Sequence, residues 1–422
     1  LGVDNYLSLM DVPGPVDYVI ASVPREVAPK IVQDCIRKEV GGVAFFTSGF
    51  AETNTEEGIR LQREVTHLAS EAGLNLIGPN CVGIYNPRIG LRHTEAQAHG
   101  EAGSVGFIAQ SGTHATLFSI VGKQHGIKIS KSVSYGNAVV LDSTDFLEYM
   151  GADGETGIIG MYIEGIKDGR RFLAHLRDVA ARKPVIIWKG GETEAGARAT
   201  ASHTGALAES RAVWETIIKQ CGAIKVDNLD EMVDIIKALL YIKPATGTRV
   251  GLIAMSGGQS VVITDAFARA GLDIPRLTRR SYDRLASFFS IIGGSYQNPF
   301  DISSTFLMAD DPVSNLVNML DVMDKDSNID SIALELFPVI RPLSHGPVTA
   351  EPVLDVISEF NGKSRKPFMV IVTAAYSDAL AAETRDKLVK RGIPSYSNFE
   401  RAAKTMKKLA DYYQIKQGKY WN

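Results

Sequence analysis

Cysteine is scarce in this chain of 422 residues. Cys35, Cys81 and Cys221 are odd in number, far apart and in no metal-ligand spacing, which excludes a disulfide framework and a cysteine-built metal site. A reducing, cytoplasmic setting is the expectation. Long apolar runs are also missing, with none approaching the roughly 20 residues of a membrane helix. No signal-peptide pattern opens the chain at Leu1. An excess of one charge is lacking too: 45 Lys and Arg stand against 48 Asp and Glu, for a net −3. That balance argues against a general nucleic-acid or anionic-membrane binder, though not against a small anion held by backbone donors. Neither a Gly-x-Gly-x-x-Gly nor a Gly-x-x-x-x-Gly-Lys-[Ser/Thr] loop occurs, which disfavours a dinucleotide-dependent oxidoreductase and a P-loop enzyme.

What is present is a soluble composition, 45% hydrophobic and 22% charged, with length enough for two or three domains. Short apolar runs alternate with amphipathic stretches. Strands are expected over 18–23, 42–47 and 74–77, with helices over 26–39 and 56–72. The pattern restarts after a linker at 96–103, with strands over 104–109, 127–134, 158–163 and 184–188 and helices over 209–219 and 229–241. A second linker at 243–248 precedes strands over 250–255, 332–336 and 367–372. Such βα alternation predicts parallel sheets covered by helices. The polar opening before the first strand suggests a start partway into a domain. An internal echo relates Val105-Gly-Phe-Ile-Ala-Gln-Ser-Gly-Thr113 to Val250-Gly-Leu-Ile-Ala-Met-Ser-Gly-Gly258. Two related domains would produce it, as would the ordinary preference of βα turns for small residues.

Several residues stand where chemistry is possible. Ser111-Gly112-Thr113 and Ser256-Gly257-Gly258 each follow a strand and open a helix, where free N–H groups and the dipole attract anions; Ser and Thr are also ordinary N-caps. Glu164 falls at the carboxyl end of a strand, where ligands collect in open α/β sheets and where a carboxylate can orient an imidazole. The plainer reading is a surface carboxylate. His203 lies in a small-residue segment, 190–205, that reads as a long loop able to approach a ligand. Imidazole is a good nucleophile toward phosphorus near neutral pH; a helix-capping histidine is the alternative. Gly78-Pro79-Asn80-Cys81 and Thr47-Ser48-Gly49-Phe50 also follow strands and would line one edge of a cleft, with Cys81 more readily a packing residue than a reactive thiol.

These motifs together resemble the NDP-forming acyl-CoA synthetases, relatives of succinyl-CoA synthetase, in the subunit or region that binds CoA and carries a phosphohistidine. The most specific piece is Glu194-Ala-Gly-Ala-Arg-Ala-Thr-Ala-Ser-His-Thr-Gly-Ala-Leu-Ala208, which resembles the phosphohistidine loop. Ile77-Gly-Pro-Asn-Cys-Val-Gly-Ile84, Phe107-Ile-Ala-Gln-Ser-Gly112, Tyr162-Ile-Glu-Gly165 and Asn298-Pro-Phe-Asp301 resemble further family motifs. The resemblance implies a Rossmann-like CoA-binding domain over 1–97, lacking its first strand and Gly-rich turn. Two flavodoxin-like domains, over 98–243 and 244–422, would follow. It implies His203 as the phosphorylated residue and Glu164 as its contact. The helix starts Ser111–Thr113 and Ser256–Gly258 would converge on one phosphate, and Val23, Pro24, Thr47, Ser48, Gly49 and Asn80 would belong to the CoA site. An acyl phosphate would pass its phosphoryl group to His203 and on to ADP or GDP. Mg²⁺ and nucleotide would sit on an ATP-grasp partner subunit or domain, which is not read after Asn422, in an oligomer. A non-catalytic CoA-sensing module of the same fold is the competing reading; the presence of both His203 and Glu164 favours the enzyme.

Overall fold

The computed structural model describes residues 4–204, 211–245, 247–338, 350–374 and 377–418, with the side chains of 201–204 and 350 outside that description. It divides into two compact units, 1–232 and 233–422. The first unit holds two sheets. Strands β1 (Tyr18–Ala21), β2 (Gly42–Phe45) and β3 (Leu76–Ile77) pair in parallel in that order. The crossover helices Ala28–Arg37 and Glu56–Glu71 bury Val32, Cys35, Leu61 and Val65 against them.

The second sheet has six strands: β4 (Gly83–Tyr85), β5 (Val105–Ala109), β6 (Ile129–Ser134), β7 (Ile158–Ile163), β8 (Val185–Lys189) and β9 (Ile224–Val226). Their order is β4-β6-β5-β7-β8-β9, with β4 antiparallel and the rest parallel. Every residue of β5 and β7 is buried, as expected of strands covered on both faces. The second unit carries β10 (Val250–Ala254), β11 (Phe300–Asp301), β12 (Ser331–Leu336), β13 (Phe368–Val372) and β14 (Ser395–Tyr396), all parallel, in the order β11-β10-β12-β13-β14.

The echo in the sequence is an echo in topology. Leaving β4 aside, both large sheets run in the same order, with β5 and β10 in equivalent places. Each of these strands has its successors on opposite sides, so each marks a switch point where a crevice opens at the strands' carboxyl ends. The helix Gly112–Gln124 leaves β5 with Ser111 as N-cap, and Gly257–Arg269 leaves β10 with Ser256 as N-cap.

Expected strands are found within a residue or two of their places. β4, β9, β11 and β14 were not foreseen, because two or three residues carry too little periodicity. The segment over 190–205 departs more: it is not a loop but contains the helix Glu194–Thr204. Alanine is the best helix former, and Thr193 caps this helix by accepting the Gly196 N–H at 3.0 Å. Small residues favoured regular structure here, not irregular backbone.

Candidate functional site

At the switch point of the six-stranded sheet, Ser111 accepts the His114 N–H at 3.4 Å as N-cap. The N–H groups of Ser111, Gly112 and Thr113 have no partner among the described residues. They border a cavity of about 330 Å³ lined also by Ser48, Asn80, Gln110 and Gly136. Gly136 is required by geometry: at φ +50° a Cβ would stand 2.2 Å from the Pro79 carbonyl oxygen.

Glu164 is 5% exposed, so it is not a surface carboxylate. It immediately follows β7, next to β5, and its turn is fixed from three directions. The Gln110 side-chain oxygen accepts the N–H of Glu164 at 2.9 Å and of Gly165 at 3.2 Å. The Tyr162 hydroxyl donates to Glu164 Oε1 at 3.1 Å. Burial, reinforced by that carboxylate, pushes the Tyr162 phenol far above its ordinary value, so the hydroxyl stays a donor. The buried ammonium of Lys189, closing β8, donates to the Glu164 carbonyl at 2.8 Å and the Gly190 carbonyl at 2.6 Å, and lies 5.6 Å from the Trp214 ring centroid. Gly190 admits the chain beside Tyr162, whose hydroxyl lies 2.7 Å from where a Cβ would be. The His114 ring packs on Tyr162 and Trp188 at centroid distances of 4.3 and 4.6 Å, joining the helix start to the carboxylate's supports.

His203 belongs to the last turn of the helix Glu194–Thr204, which begins five residues beyond Lys189; its side chain lies outside the described residues. Among the six residues assigned to a CoA site, Ser48 and Asn80 line the cavity. Thr47 and Val23 turn their polar groups on each other instead: the Thr47 hydroxyl accepts the Val23 N–H at 3.3 Å and donates to its carbonyl at 2.7 Å. The Gly49 N–H is taken by Glu52 at 2.6 Å and its carbonyl by Arg25 at 2.7 Å. Pro24 precedes the short 3₁₀ turn Arg25–Val27. Cys81 lines the cavity, but burial pushes its thiol up to about 12, so it packs rather than reacts.

In the second unit, Ser256 accepts the Gln259 N–H at 3.4 Å, and Gly257 faces Asp301, whose Oδ2 lies 3.0 Å from a Cβ position. Gly258 has open space where its Cβ would be. Here a carboxylate stands behind the helix start. Buried Glu335 on β12 accepts the Met255 N–H at 3.0 Å and the Gln259 side-chain N–H at 2.8 Å, and burial raises its carboxyl above the usual range. Asn298 ties the sheet edge, accepting the Leu252 N–H and donating to the Val250 and Pro275 carbonyls, each at 2.9 Å.

Sequence reasoning missed Gln110, Tyr162, Lys189 and Glu335 as site residues. Gln110 and Tyr162 lay within quoted motifs. Lys189 and Glu335 carried a signal that was available: a charge in or ending an otherwise apolar buried strand is costly unless held. Among the described residues no group of three or more His, Cys, Asp or Glu is placed to hold a metal ion, and no helix is long and apolar enough to cross a membrane.

Residues 1–87 match a CoA binding domain and residues 102–239 a succinyl-CoA ligase like flavodoxin domain. The alpha subunit of an ADP-forming acetate–CoA ligase II from Pyrococcus furiosus is 34% identical over 406 residues, covering 95% of this chain and 85% of the relative. ADP-forming acetate–CoA ligase I of Archaeoglobus fulgidus is 34% identical over 341 residues, 81% of this chain. The matched part is 48% of that relative's length, so the chain spans about half of it. The dinucleotide forming acetyl-coenzyme A synthetase 1 of Ca. Korarchaeum cryptofilum, solved with phosphate and ADP, superposes with a TM-score of 0.83 at 30% identity. That match covers 99% of this chain and 87% of the other. With two mixed α/β units built on parallel sheets, a buried carboxylate beside an open helix start and an alpha-subunit relative matched over 85% of its length, the chain belongs to the ADP-forming acyl-CoA ligase family.

Proposed function

We propose that this chain is the CoA-binding and phosphohistidine component of an ADP-forming acyl-CoA ligase. Phosphate attacks the thioester carbonyl of an acyl-CoA, the C–S bond breaks, and CoA leaves as the thiol with an acyl phosphate formed. The His203 imidazole then takes the phosphoryl group, releasing the carboxylate. Phosphohistidine finally passes it to ADP, regenerating the imidazole and yielding ATP. In this reading the N–H groups of Ser111, Gly112 and Thr113 hold the transferring phosphoryl group, and Glu164 accepts an imidazole N–H to orient the ring. Ser256, Gly257 and Gly258 give the second unit a helix start of the same kind, suited to an anion. Ser48 and Asn80 carry the CoA contact, with Val23, Pro24, Thr47 and Gly49 shaping the loops that present them.

The observation that carries the reading is the junction at Gln110, which joins an open helix start to a buried carboxylate at one switch point. Mg²⁺ and ADP are assigned to an ATP-grasp partner, subunit or domain, within an oligomer, and the acyl group to a carboxylic acid of which acetate is the first to assay. A cytoplasmic setting is supported by three free, buried cysteines. The domain division 1–97, 98–243 and 244–422 belongs to the same proposal; one parallel sheet core falls in each part, while β4 of the first part pairs with β6 of the second and the helix Leu229–Tyr241 packs on the core of the third.

Incubation with acyl-CoA and labelled phosphate tests the reading. Acid-labile, base-stable label is expected on the chain and absent from His203→Asn; normal labelling of that variant sinks it. Without a partner, ATP formation from ADP is expected to be undetectable.

A further inference from the structure

Gln110 is not among the residues that either helix start or the carboxylate would by itself bring to notice. It is 7% exposed, yet it lines the 330 Å³ cavity beside Ser111, Gly112 and Thr113. A side-chain amide has one oxygen and one NH₂, and their assignment follows from their partners. Here the oxygen is fixed, because it lies 2.9 and 3.2 Å from two backbone nitrogens, of Glu164 and Gly165, which can only donate. The NH₂ therefore points elsewhere, and it has no partner among the described residues. The residue is nine-tenths buried, and its NH₂ is the part that stays accessible, opening on the cavity where a ligand oxygen can accept its hydrogens. The adjoining backbone N–H groups of 111–113 likewise have no partner among the described residues, so unpartnered donors cluster on that wall.

The equivalent place in the second unit is instructive. Residue 255, 145 positions on from Gln110, is methionine, and there the carboxylate of Glu335 accepts its backbone N–H. The link between strand end and neighbouring carboxylate is reversed, and the methionine side chain at 255 has no donor to offer that helix start. The donor at 110 is thus specific to the first switch point.

We propose that Gln110 is a direct ligand of the phosphoryl group: its Nε2 donates to a phosphoryl oxygen also held by the Gly112 and Thr113 N–H groups, while its Oε1 holds the Glu164 turn. One side chain then couples occupancy of the anion site to the position of the carboxylate. The inference rests on the phosphohistidine reading for the identity of the anion, but not for its binding.

Two substitutions separate its halves. Gln110→Glu keeps an oxygen to accept both N–H groups and replaces the donor by an acceptor. Gln110→Met removes both. In the assembled enzyme, both variants are expected to raise the KM for phosphate at least about tenfold, the effect of losing a charge-assisted hydrogen bond, while the KM for CoA stays within about twofold. Binding of inorganic phosphate, followed by ³¹P line broadening in a His203→Asn background, is expected to weaken to the same extent. That readout stays valid whether or not His203 is phosphorylated, so failure of the histidine assignment and failure of this inference are distinct results. Wild-type phosphate affinity in Gln110→Glu, or equal rises in both KM values, would overturn the proposal.

Discussion

Burial of Glu164 would be unfavourable for an isolated carboxylate, since an uncompensated buried charge costs several kcal/mol. Tyr162 donates to the carboxylate, while Gln110 and Lys189 fix the backbone that carries it. Glu164→Gln preserves size and an acceptor for Tyr162 but removes the charge that would stabilise an imidazolium. The expected outcome is a fall of about 10²-fold or more in the single-turnover rate of histidine phosphorylation, with a thermal midpoint within a few degrees of wild type. A variant that phosphorylates normally excludes Glu164 from the chemistry. The cysteines give a second expectation at this scale. Burial raises the Cys81 thiol from 9.0 to about 12 and Cys35 to about 11. The folded state therefore keeps these protons when the unfolded chain has lost them, so their contribution is intact below pH 9 and declines as pH rises from 9 toward 12. Native protein at pH 8 should leave a thiol reagent nearly unconsumed until denaturant is added, and unfolding free energy should fall on the alkaline side. Rapid stoichiometric labelling of the native chain would contradict this burial.

Among the elements, the helix Glu194–Thr204 is the one whose behaviour matters most, because it carries His203. Its first turn rests on Thr193, and Arg198 pairs with Glu194 one turn away on an exposed surface, a contact worth little. Thr193→Val should cost about 1 kcal/mol of local stability, read as faster hydrogen exchange at Gly196 to Thr200 with little change in the global midpoint; unchanged exchange would show that the cap is dispensable. Gly136 presents the opposite case. Its positive φ and its closeness to the Pro79 and Asn80 carbonyls leave no room for a side chain. Gly136→Ala is expected to destabilise by about 2–4 kcal/mol, measured by denaturant unfolding.

For the whole molecule, the boundary of the second unit follows from packing. The helix Leu229–Tyr241 supplies buried Ala238, with Ile242 just beyond it, to the core beneath β10, β13 and β14. Its Lys237 donates to Asp234 at 3.0 Å and to the Ser395 carbonyl at 2.6 Å, with its ammonium 4.3 Å from the Tyr396 ring centroid; Arg401 reaches Asp234 at 2.6 Å. A fragment over 228–422 should unfold in one cooperative transition, whereas one starting at 244 loses both the apolar face and the ionic network and should not. Circular dichroism with denaturant distinguishes them, and equal stability of the two fragments would show the helix to be peripheral.

The sequence by itself determined the βα order, the places of the buried strands, the two helix starts and the family, because those features are local: apolar runs, N-caps and contiguous motifs. Composition over 190–205 misled, since small residues serve a loop and a helix alike. What only the tertiary structure decided was which side chains meet. Gln110 and Glu164 are 54 positions apart, and nothing local indicates that an amide oxygen from one strand end would hold the turn after its neighbour. Likewise Thr47 faces Val23 and leaves the cavity to Ser48 and Asn80, a choice made by the register of β1 against β2. Hydrogen-bond partners between strand ends depend on sheet order, and sheet order is set by packing of the whole unit rather than by any one segment.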